Sequence, residues 1–524
     1  MRFSSRFPLI LWVCLLSARS FAAGKAAHVI MIVWDGMRPD FVSPEHTPTL
    51  SELGARGVIF RNHHSAYVTS TEVNAAVLAT GAYPGVNGIT GNNEFRPAVN
   101  PTNKIMTAEL GVVRKADGAG GNRFLTLPTV AESLHRQGRR TAVAGAKEVG
   151  LLADRLARAD DSLGAVLFDG RTLPESMLGA ITNLLGPFPP AAIPKARRDQ
   201  WTTEALIGPL WGKEAPAFSV LWLSEPDASQ HATGPGSQTS LAAIRSSDSN
   251  LRRVLDVLDR RGLREQTDII VVSDHGFSTV FQIADVTAVL KTNGFAAVNQ
   301  LSPGGARTGD IVVVNNGGTV FLYVTGHDAD LTAKAVHFLQ TQPFCGVVLT
   351  REPVEGAFRL ADARIDSPDA PDIVMSLCWQ PDKSTNGTPG LIGASTREYG
   401  VGKGTHSSLS LYDLHNTCVA AGPDFRPGFT DDLPTGNVDV APTILWILGV
   451  APEAKLSGRV LSEALADSRM PVPAAARHRL EANWSGAGGT WRQTLDYSEV
   501  NGVIYLDQGN GKFDGGEPKA AGSR

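Results

Sequence analysis

The sequence predicts an α/β protein with a mostly parallel central sheet, helices on both of its faces, and a lobe inserted at about residues 278–400. Three observations predict it. Short runs rich in Val and Ile alternate with amphipathic stretches of helical period. Several of these runs end in Asp. The composition, 42% hydrophobic and 19% charged over 524 residues, is that of a globular chain long enough to bury a large core without disulfides. It excludes intrinsic disorder and collagen-like repeats.

The elements follow in chain order. Arg2 and Arg6 precede residues 7–16 (FPLILWVCLL), too short to span a bilayer but suited to the apolar part of a signal peptide. Ser20-Phe21-Ala22 places small residues where a signal peptidase reads them, so cleavage is expected after Ala22. No later run is long enough to span a membrane. The mature chain is therefore expected to be exported, to the periplasm or extracellular space, without membrane contact. Removing residues 1–22 takes three Arg and no acid, leaving 45 basic against 52 acidic side chains. The mature charge is then about −7, with no basic run, so long nucleic acid is not an expected partner. Cys345, Cys378 and Cys418 remain, with no CxxC pair.

Residues 28–33 (HVIMIV), 218–223 (FSVLWL) and 268–273 (DIIVVS) read as buried strands. Each is followed closely by acids: Asp35, Glu225 and Asp227, Asp274. Residues 127–137, with Pro128 early, and 240–261, with Leu241, Ile244, Leu251, Val254, Leu255 and Leu258 on one side, read as helices. Residues 278–400 are rich in Gly, Pro, Asn and Thr and read as the inserted lobe. Residues 437–448 read as a closing helix with Pro442 in its first turn. The expected organisation is a signal peptide at 1–22, a catalytic domain at 23–460, and a C-terminal segment at 461–524 carrying a small β extension.

Ligands of open α/β sheets bind beyond the carboxyl ends of strands. The strand-end residues there are Asp35, Asp227, His231, Asp274 and His275, joined by His406 in Gly404-Thr405-His406. Imidazole and carboxylate in this mixture suit zinc or a similar divalent ion. Six ligands exceed one catalytic zinc with an open position and fit two metals about 4 Å apart. Thr71 is the nucleophile candidate, with Thr69 and Ser70 as rival hydroxyls. A Thr there makes a helix N-cap, and the same position lets the helix dipole favour an anion. Asn74 lies three residues on, where its amide could donate to a phosphoryl oxygen. His63-His64 read as surface or supporting residues. Asp507-x-x-Asn510-Gly511-x-x-Asp514-x-x-Glu517 has the composition of a Ca2+ loop but fails the EF-hand spacing.

The chain resembles the alkaline phosphatase superfamily, and within it the nucleotide pyrophosphatase/phosphodiesterase branch. The resemblance rests on Asp35-Gly36-Met37-Arg38-Pro39-Asp40, Thr47-Pro48-Thr49-Leu50, Thr71-x-x-Asn74 running into Ala79-Thr80-Gly81, and Asn87-Gly88-Ile89. It continues through Glu225-Pro226-Asp227-x-x-x-His231, Ser273-Asp274-His275-Gly276 and Gly404-Thr405-His406. It implies an alkaline-phosphatase-like three-layer α/β/α sandwich. It also implies two Zn2+ ions, one held by Asp227, His231 and His406, the other by Asp35, Thr71, Asp274 and His275. Thr71 would attack phosphorus to form a covalent phospho-threonine that water hydrolyses, and Asn74 would bind a non-bridging oxygen. Asn92, Asn93 and Phe95 resemble the substrate rim.

Two departures bear on the substrate. Glu72 and Val73 replace the family's usual Phe-Pro pair. Lys147 matches the first of two basic residues found in monoesterase and phosphonate-hydrolase relatives, but Val149 occupies the second position. The implied activity is hydrolysis of small phosphodiesters or nucleotide pyrophosphates. The alternatives are a phosphomonoesterase or phosphonate hydrolase using Lys147, and a secreted binding protein with an inactive metal site. The oligomeric state stays open.

Overall fold

A computed structural model describes residues 24–118, 124–156, 158–396, 399–486 and 488–515. The expected signal peptide and Glu517 lie outside the described residues. The central sheet has nine strands: β1 (His28–Trp34), β2 (Val58–Phe60), β3 (Thr141–Gly145), β4 (Gly164–Phe168), β5 (Arg171–Leu173), β6 (Phe218–Leu223), β7 (Thr267–Val272), β8 (Cys418–Ala421) and β9 (Phe429–Asp431). Their order is β9-β2-β8-β7-β1-β6-β3-β4-β5. The run β7-β1-β6-β3-β4 is parallel throughout, and antiparallel pairs occur only where β8 joins β7 and β2 and where β5 joins β4.

Alternate residues of these strands feed two cores. Val29, Met31 and Val33 pack with Ala75, Leu78, Leu134 and Ile444 on one face. Ile30, Ile32 and Trp34 pack with Trp201, Ile244, Leu251 and Leu258 on the other. Both faces are covered, which is why β6 and β7 are apolar along their whole length rather than alternating. The fold is the alkaline-phosphatase-like three-layer sandwich.

Two helices differ in their ends from the pattern. The 127–137 stretch forms a helix only over Val130–His135. Thr129 and Glu132 make a reciprocal capping box, so Pro128 precedes the helix instead of opening it. The long helix runs Gln238–Arg260, starting early because the Ser237 hydroxyl accepts from the Ser240 N–H at 3.1 Å.

Between Ser278 and Thr405 the chain builds two further sheets, of four and six strands. One face of the six-stranded sheet shares a core with Tyr67 and Val73 beside the nucleophile candidate, and with Leu495 and Leu506 from the C-terminal end. That end forms a three-stranded antiparallel sheet, Ala475–Gly486, Gly489–Val500 and Val503–Gly515. Asp507, Asn510 and Asp514 all lie on its last strand. At about 3.3 Å per residue they are strung over roughly 20 Å and cannot converge on one ion. Asp514 is paired with Arg492 and Lys512, and Asn510 donates to the Trp379 carbonyl. The Ca2+ loop reading fails on this geometry.

Candidate active site

Four adjacent parallel strands deliver the acidic and imidazole side chains to one edge. β7 ends at Asp274 and His275, β1 at Asp35, β6 at the turn into the helix Asp227–Thr233, and β3 at Lys147. Asp227 and His231 stand one turn apart on that helix and so share a face. His406 arrives from the four-stranded sheet, just after Gly404–Thr405. Ser407 beside it holds a left-handed φ of 80°, rare for a residue with a β-carbon, and its hydroxyl meets Ser70 Oγ at 2.6 Å.

The three imidazoles are oriented alike. His231 Nδ1 donates to the Gly404 carbonyl at 2.9 Å, His275 Nδ1 to the Gly276 carbonyl at 2.8 Å, and His406 Nδ1 to the Thr69 carbonyl at 2.8 Å. With Nδ1 protonated, each ring turns a lone pair on Nε2 toward the carboxylates, the arrangement of metal-ligating histidines. Asp227 Oδ1 lies 3.2 Å from His231 Nε2 and 3.6 Å from His406 Nε2. His275 Nε2 lies 3.3 Å from Asp274 Oδ2 and 3.7 Å from Asp35 Oδ1.

These same oxygens, Asp35 Oδ1, Asp227 Oδ1 and Asp274 Oδ2, are buried without a hydrogen-bond partner among the described residues. Orphaned buried carboxylate oxygens facing imidazole lone pairs are a cation's donor set. The charges agree. Burial, and for Asp35 the neighbouring Asp274, raise both Asp35 and Asp274 to about 7. Burial outweighs the acids around His275 and lowers its imidazole below the usual range. A divalent cation would offset both the burial and the neighbouring negative charge that lift the two carboxyls. By donor proximity one group is Asp227, His231 and His406, and a second is Asp35, Asp227 and His275, with Asp227 reaching both.

Thr71 is the first residue of the helix Thr71–Thr80, and Ser70 holds the N-cap position expected of Thr71. The three candidate hydroxyls are thereby separated. Thr69 Oγ1 donates to the Ser408 carbonyl and Ser70 Oγ is bonded to Ser407, while Thr71 Oγ1 faces His275 Nε2 at 3.2 Å. Thr71 also lines a cavity of about 300 Å³ with Glu72, Asn92, Asn93, Lys147 and the metal-type ligands Asp227, His231 and His406.

Two expected substrate contacts, Asn74 and Phe95, are corrected, and a third, Lys147, is mostly committed to the carboxylates. Asn74 is fully buried and its amide is spent. Oδ1 accepts from the Ala66 N–H at 2.8 Å, and Nδ2 donates to the carbonyls of Ala66 and Ser70. It braces the loop that carries Thr71 and has no donor for a phosphoryl oxygen. Phe95 packs edge-on against Tyr323 in the lobe's core and does not line the cavity. Lys147 does line it, but Nζ donates to Asp35 Oδ2 at 2.8 Å and Asp227 Oδ2 at 3.0 Å, leaving one of its three donors. Asn93 lines the cavity, and its backbone is clasped by the Asn316 side chain through bonds of 2.9 and 3.0 Å.

The structure adds residues that the sequence does not single out. The Trp222 indole donates to Asp35 Oδ2 at 2.9 Å. Tyr399 stacks on His231 with centroids 4.4 Å apart. Asn437 Nδ2 donates to Asn74 Oδ1 and to the Asp274 carbonyl. A lobe hairpin reaches the site as well: the Gly318 N–H donates to the His406 carbonyl at 2.7 Å, and a β-carbon on Gly317 or Gly318 would meet that oxygen at 2.8 or 2.9 Å.

A family model described as type I phosphodiesterase / nucleotide pyrophosphatase matches residues 29–380. The chain belongs to this family. The matched part of the chain holds Asp35, Thr71, Lys147, Asp227, His231, Asp274 and His275, and His406 lies beyond it. The chain is 25% identical over 257 residues to ectonucleotide pyrophosphatase/phosphodiesterase family member 7 of Rattus norvegicus, covering 48% of this chain and 50% of the relative. It is 22% identical over 256 residues to the venom phosphodiesterase of Naja atra, covering 48% of this chain and 26% of that protein. It thus spans half or less of the length of these relatives. Murine ectonucleotide pyrophosphatase / phosphodiesterase 5 superposes with a TM-score of 0.60 at 17% identity, covering 84% of this chain and 100% of the murine one. An inactive variant of that protein in complex with AMP superposes at 0.57, again at 17% identity, covering 82% of this chain and 96% of that one.

Proposed function

We propose that this family member is an exported hydrolase of small phosphodiesters and nucleotide pyrophosphate bonds, working through Thr71 on a two-zinc centre. The observation that carries the reading is Thr71 Oγ1, 3.2 Å from His275 Nε2, at the edge of a buried cluster whose unpartnered carboxylate oxygens face the imidazole Nε2 atoms. Asp227, His231 and His406 would hold one ion, and Asp35, Asp274 and His275, with Thr71, the other. When bound, such ions supply Lewis-acid stabilisation of the oxygens around phosphorus and lower the pKa of a coordinated hydroxyl.

The chain's own groups do the rest. The Asn74 and Asn437 amides hold the Thr71 loop against Asp274, so Thr71 Oγ is aimed before substrate arrives. Thr71 Oγ releases its proton to solvent and forms a bond to phosphorus as the bond to the leaving oxygen breaks. The oxygen departs and takes a proton from solvent. Water then attacks the threonyl phosphoester, the Oγ–P bond breaks, and Thr71 is restored. Asn92, Asn93 and the remaining Lys147 donor line the space for the non-reacting oxygens and the leaving group.

Glu72 favours the diester reading over the monoesterase alternative. Its Oε2 is buried without a partner beside Thr71, and burial raises its carboxyl to about 7. Lys104 and Lys147 both line the cavity, but Lys104 is exposed and Lys147 is paired with Asp35 and Asp227, so an acid on this wall weighs against a dianionic phosphate. The nucleotide complex of the murine relative supports a nucleotide as one diester partner. The basic, apolar start of the chain supports export. The test compares kcat/KM for bis(p-nitrophenyl) phosphate and p-nitrophenyl phosphate with added zinc, in wild type and Thr71→Ala. A diester preference abolished in the variant is the expected result. A monoester preference would move the assignment to the Lys147 alternative, and metal binding with no turnover of any phosphoester to the binding-protein one.

A further inference from the structure

A second group of metal-type side chains lies where the C-terminal sheet meets the catalytic body, and it shares no residue with the active site. It consists of His64 on the two-residue strand His63–His64, His415 just after the helix Leu411–Leu414, and Asp507 on the strand Val503–Gly515. One donor atom from each lies within 4.8 Å of the other two. The same criterion selects the two groups at the active site and no other among the described residues.

The orientation resembles that of the catalytic histidines. His64 Nδ1 donates to the Thr435 carbonyl at 2.9 Å, which turns the Nε2 lone pair toward Asp507 Oδ1 at 3.0 Å. A lone pair facing a carboxylate oxygen needs either a second proton on the ring or a cation between them. A tetrahedral zinc at about 2.0–2.1 Å from each donor separates them by about 3.3 Å, close to the spacing seen. Asp507 is braced from behind by the Ser498 hydroxyl, at 2.9 Å from Oδ2, as ligating carboxylates are. His415 is bridged to His64 through the backbone, and its ring lies 4.3 Å from the His64 ring, centroid to centroid. No described residue hydrogen-bonds the His415 ring, so both of its nitrogens are uncommitted. His64 is buried, while His415 and Asp507 border a cavity of about 500 Å³ that Asn62 and Arg477 also line. A water from that cavity can complete four-coordination.

We propose that His64, His415 and Asp507 bind a third divalent metal ion, zinc by ligand type, as a structural clip. Its three ligands come from segments far apart in sequence. Closing it ties the C-terminal sheet to the strand that leads, seven residues later, into Thr71. Two imidazoles and one carboxylate suit zinc over calcium or magnesium, which prefer all-oxygen sites. The site is not catalytic, because no cavity of the active centre includes these residues.

The test is metal content of the purified full chain, after equilibration with Zn2+ and removal of loose ion, by elemental mass spectrometry. About three equivalents per chain are expected in wild type and about two in His415→Gln, whose side chain makes no hydrogen bond that could be lost. The decisive background is Asp35→Asn with Asp227→Asn, in which the catalytic centre is disabled. This protein should keep about one tight equivalent, lost on adding His415→Gln or Asp507→Asn. Co2+ substitution in that background should give the visible bands of a four-coordinate site, absent from the His415→Gln form. Chelator should speed proteolysis of the C-terminal sheet in the background protein and leave its His415→Gln form unchanged. Absence of tight metal in a folded background protein would overturn the site and leave a protonated His64 paired with Asp507. A metal retained after both ligand substitutions would overturn the assignment of its ligands.

Discussion

The floor and the wall of the active-site cavity are built on different principles. The floor is made of Asp35, Asp227, Asp274 and three histidines at the ends of neighbouring strands and turns. It is buried apart from the half-buried His231, and each imidazole is pinned by a backbone carbonyl. The wall is made of Glu72, Asn92, Asn93, Asn315 and Asn316, from a helix start, a loop and the lobe hairpin Asp310–Asn316 and Thr319–Val324. Its groups are mostly neutral amides, with one acid and the exposed Lys104, and several bond to one another across the seam. The floor is organised to concentrate positive charge at a fixed point. The wall is organised to fit a group of low charge. Chemistry and selectivity should therefore respond separately to substitution.

The largest expected effect is on the floor. Chelation should remove essentially all phosphodiesterase activity, and zinc should restore it. Retained turnover in a protein stripped of metal would collapse the distinction between floor and wall. Next is the support beneath the floor: Trp222→Phe removes the indole donor to Asp35 and should cost about tenfold to a hundredfold in activity or metal affinity. A metal titration beside kinetics separates those two outcomes. An unchanged enzyme would show that Asp35 is oriented by Lys147 alone.

The wall should give smaller and more selective effects. Glu72→Gln should leave diester turnover within a few-fold and raise the monoester-to-diester ratio of kcat/KM by about tenfold. A uniform fall for both substrates would mean that Glu72 supports the nucleophile's helix rather than screening substrates. Asn74→Ala tests the reassignment of that residue. It should cost about 2–3 kcal/mol of stability, because the Ala66 backbone and the Asn437 amide lose their partners. Thermal or urea unfolding reads this directly. A stable variant with only a raised KM would return Asn74 to the substrate.

The contrast also explains what the sequence discloses. Strand ends are legible because a buried parallel strand is an unbroken apolar run, and an Asp or His just past it lies at the edge where such sheets bind ligands. Asp35, Asp227 and Asp274 could thus be grouped before any coordinates. The spacing Thr71-x-x-Asn74 says that two side chains share a helical turn. It does not say that residues 66–70 fold back onto the amide and consume it. Phe95 reads as a stacking platform or, more readily, as core, and the neighbouring lobe packs it into the core. Trp222 is hidden by its setting, since an indole inside an apolar strand looks like packing. The pair His63-His64 is buried rather than at the surface, because partners more than 300 residues away, Thr435 and Asp507, fold over it. Contacts made across such separations leave no local pattern.

The central claim is covalent chemistry at Thr71, and the most direct measurement is rapid quenching of the zinc-loaded enzyme with bis(p-nitrophenyl) phosphate, followed by peptide mass analysis. The account predicts a nitrophenylphosphoryl ester on the peptide carrying Thr71, formed in a burst with one equivalent of nitrophenol and absent from Thr71→Ala. Full turnover by Thr71→Ala, or a burst whose adduct sits on Thr69, Ser70 or any other residue, would contradict it.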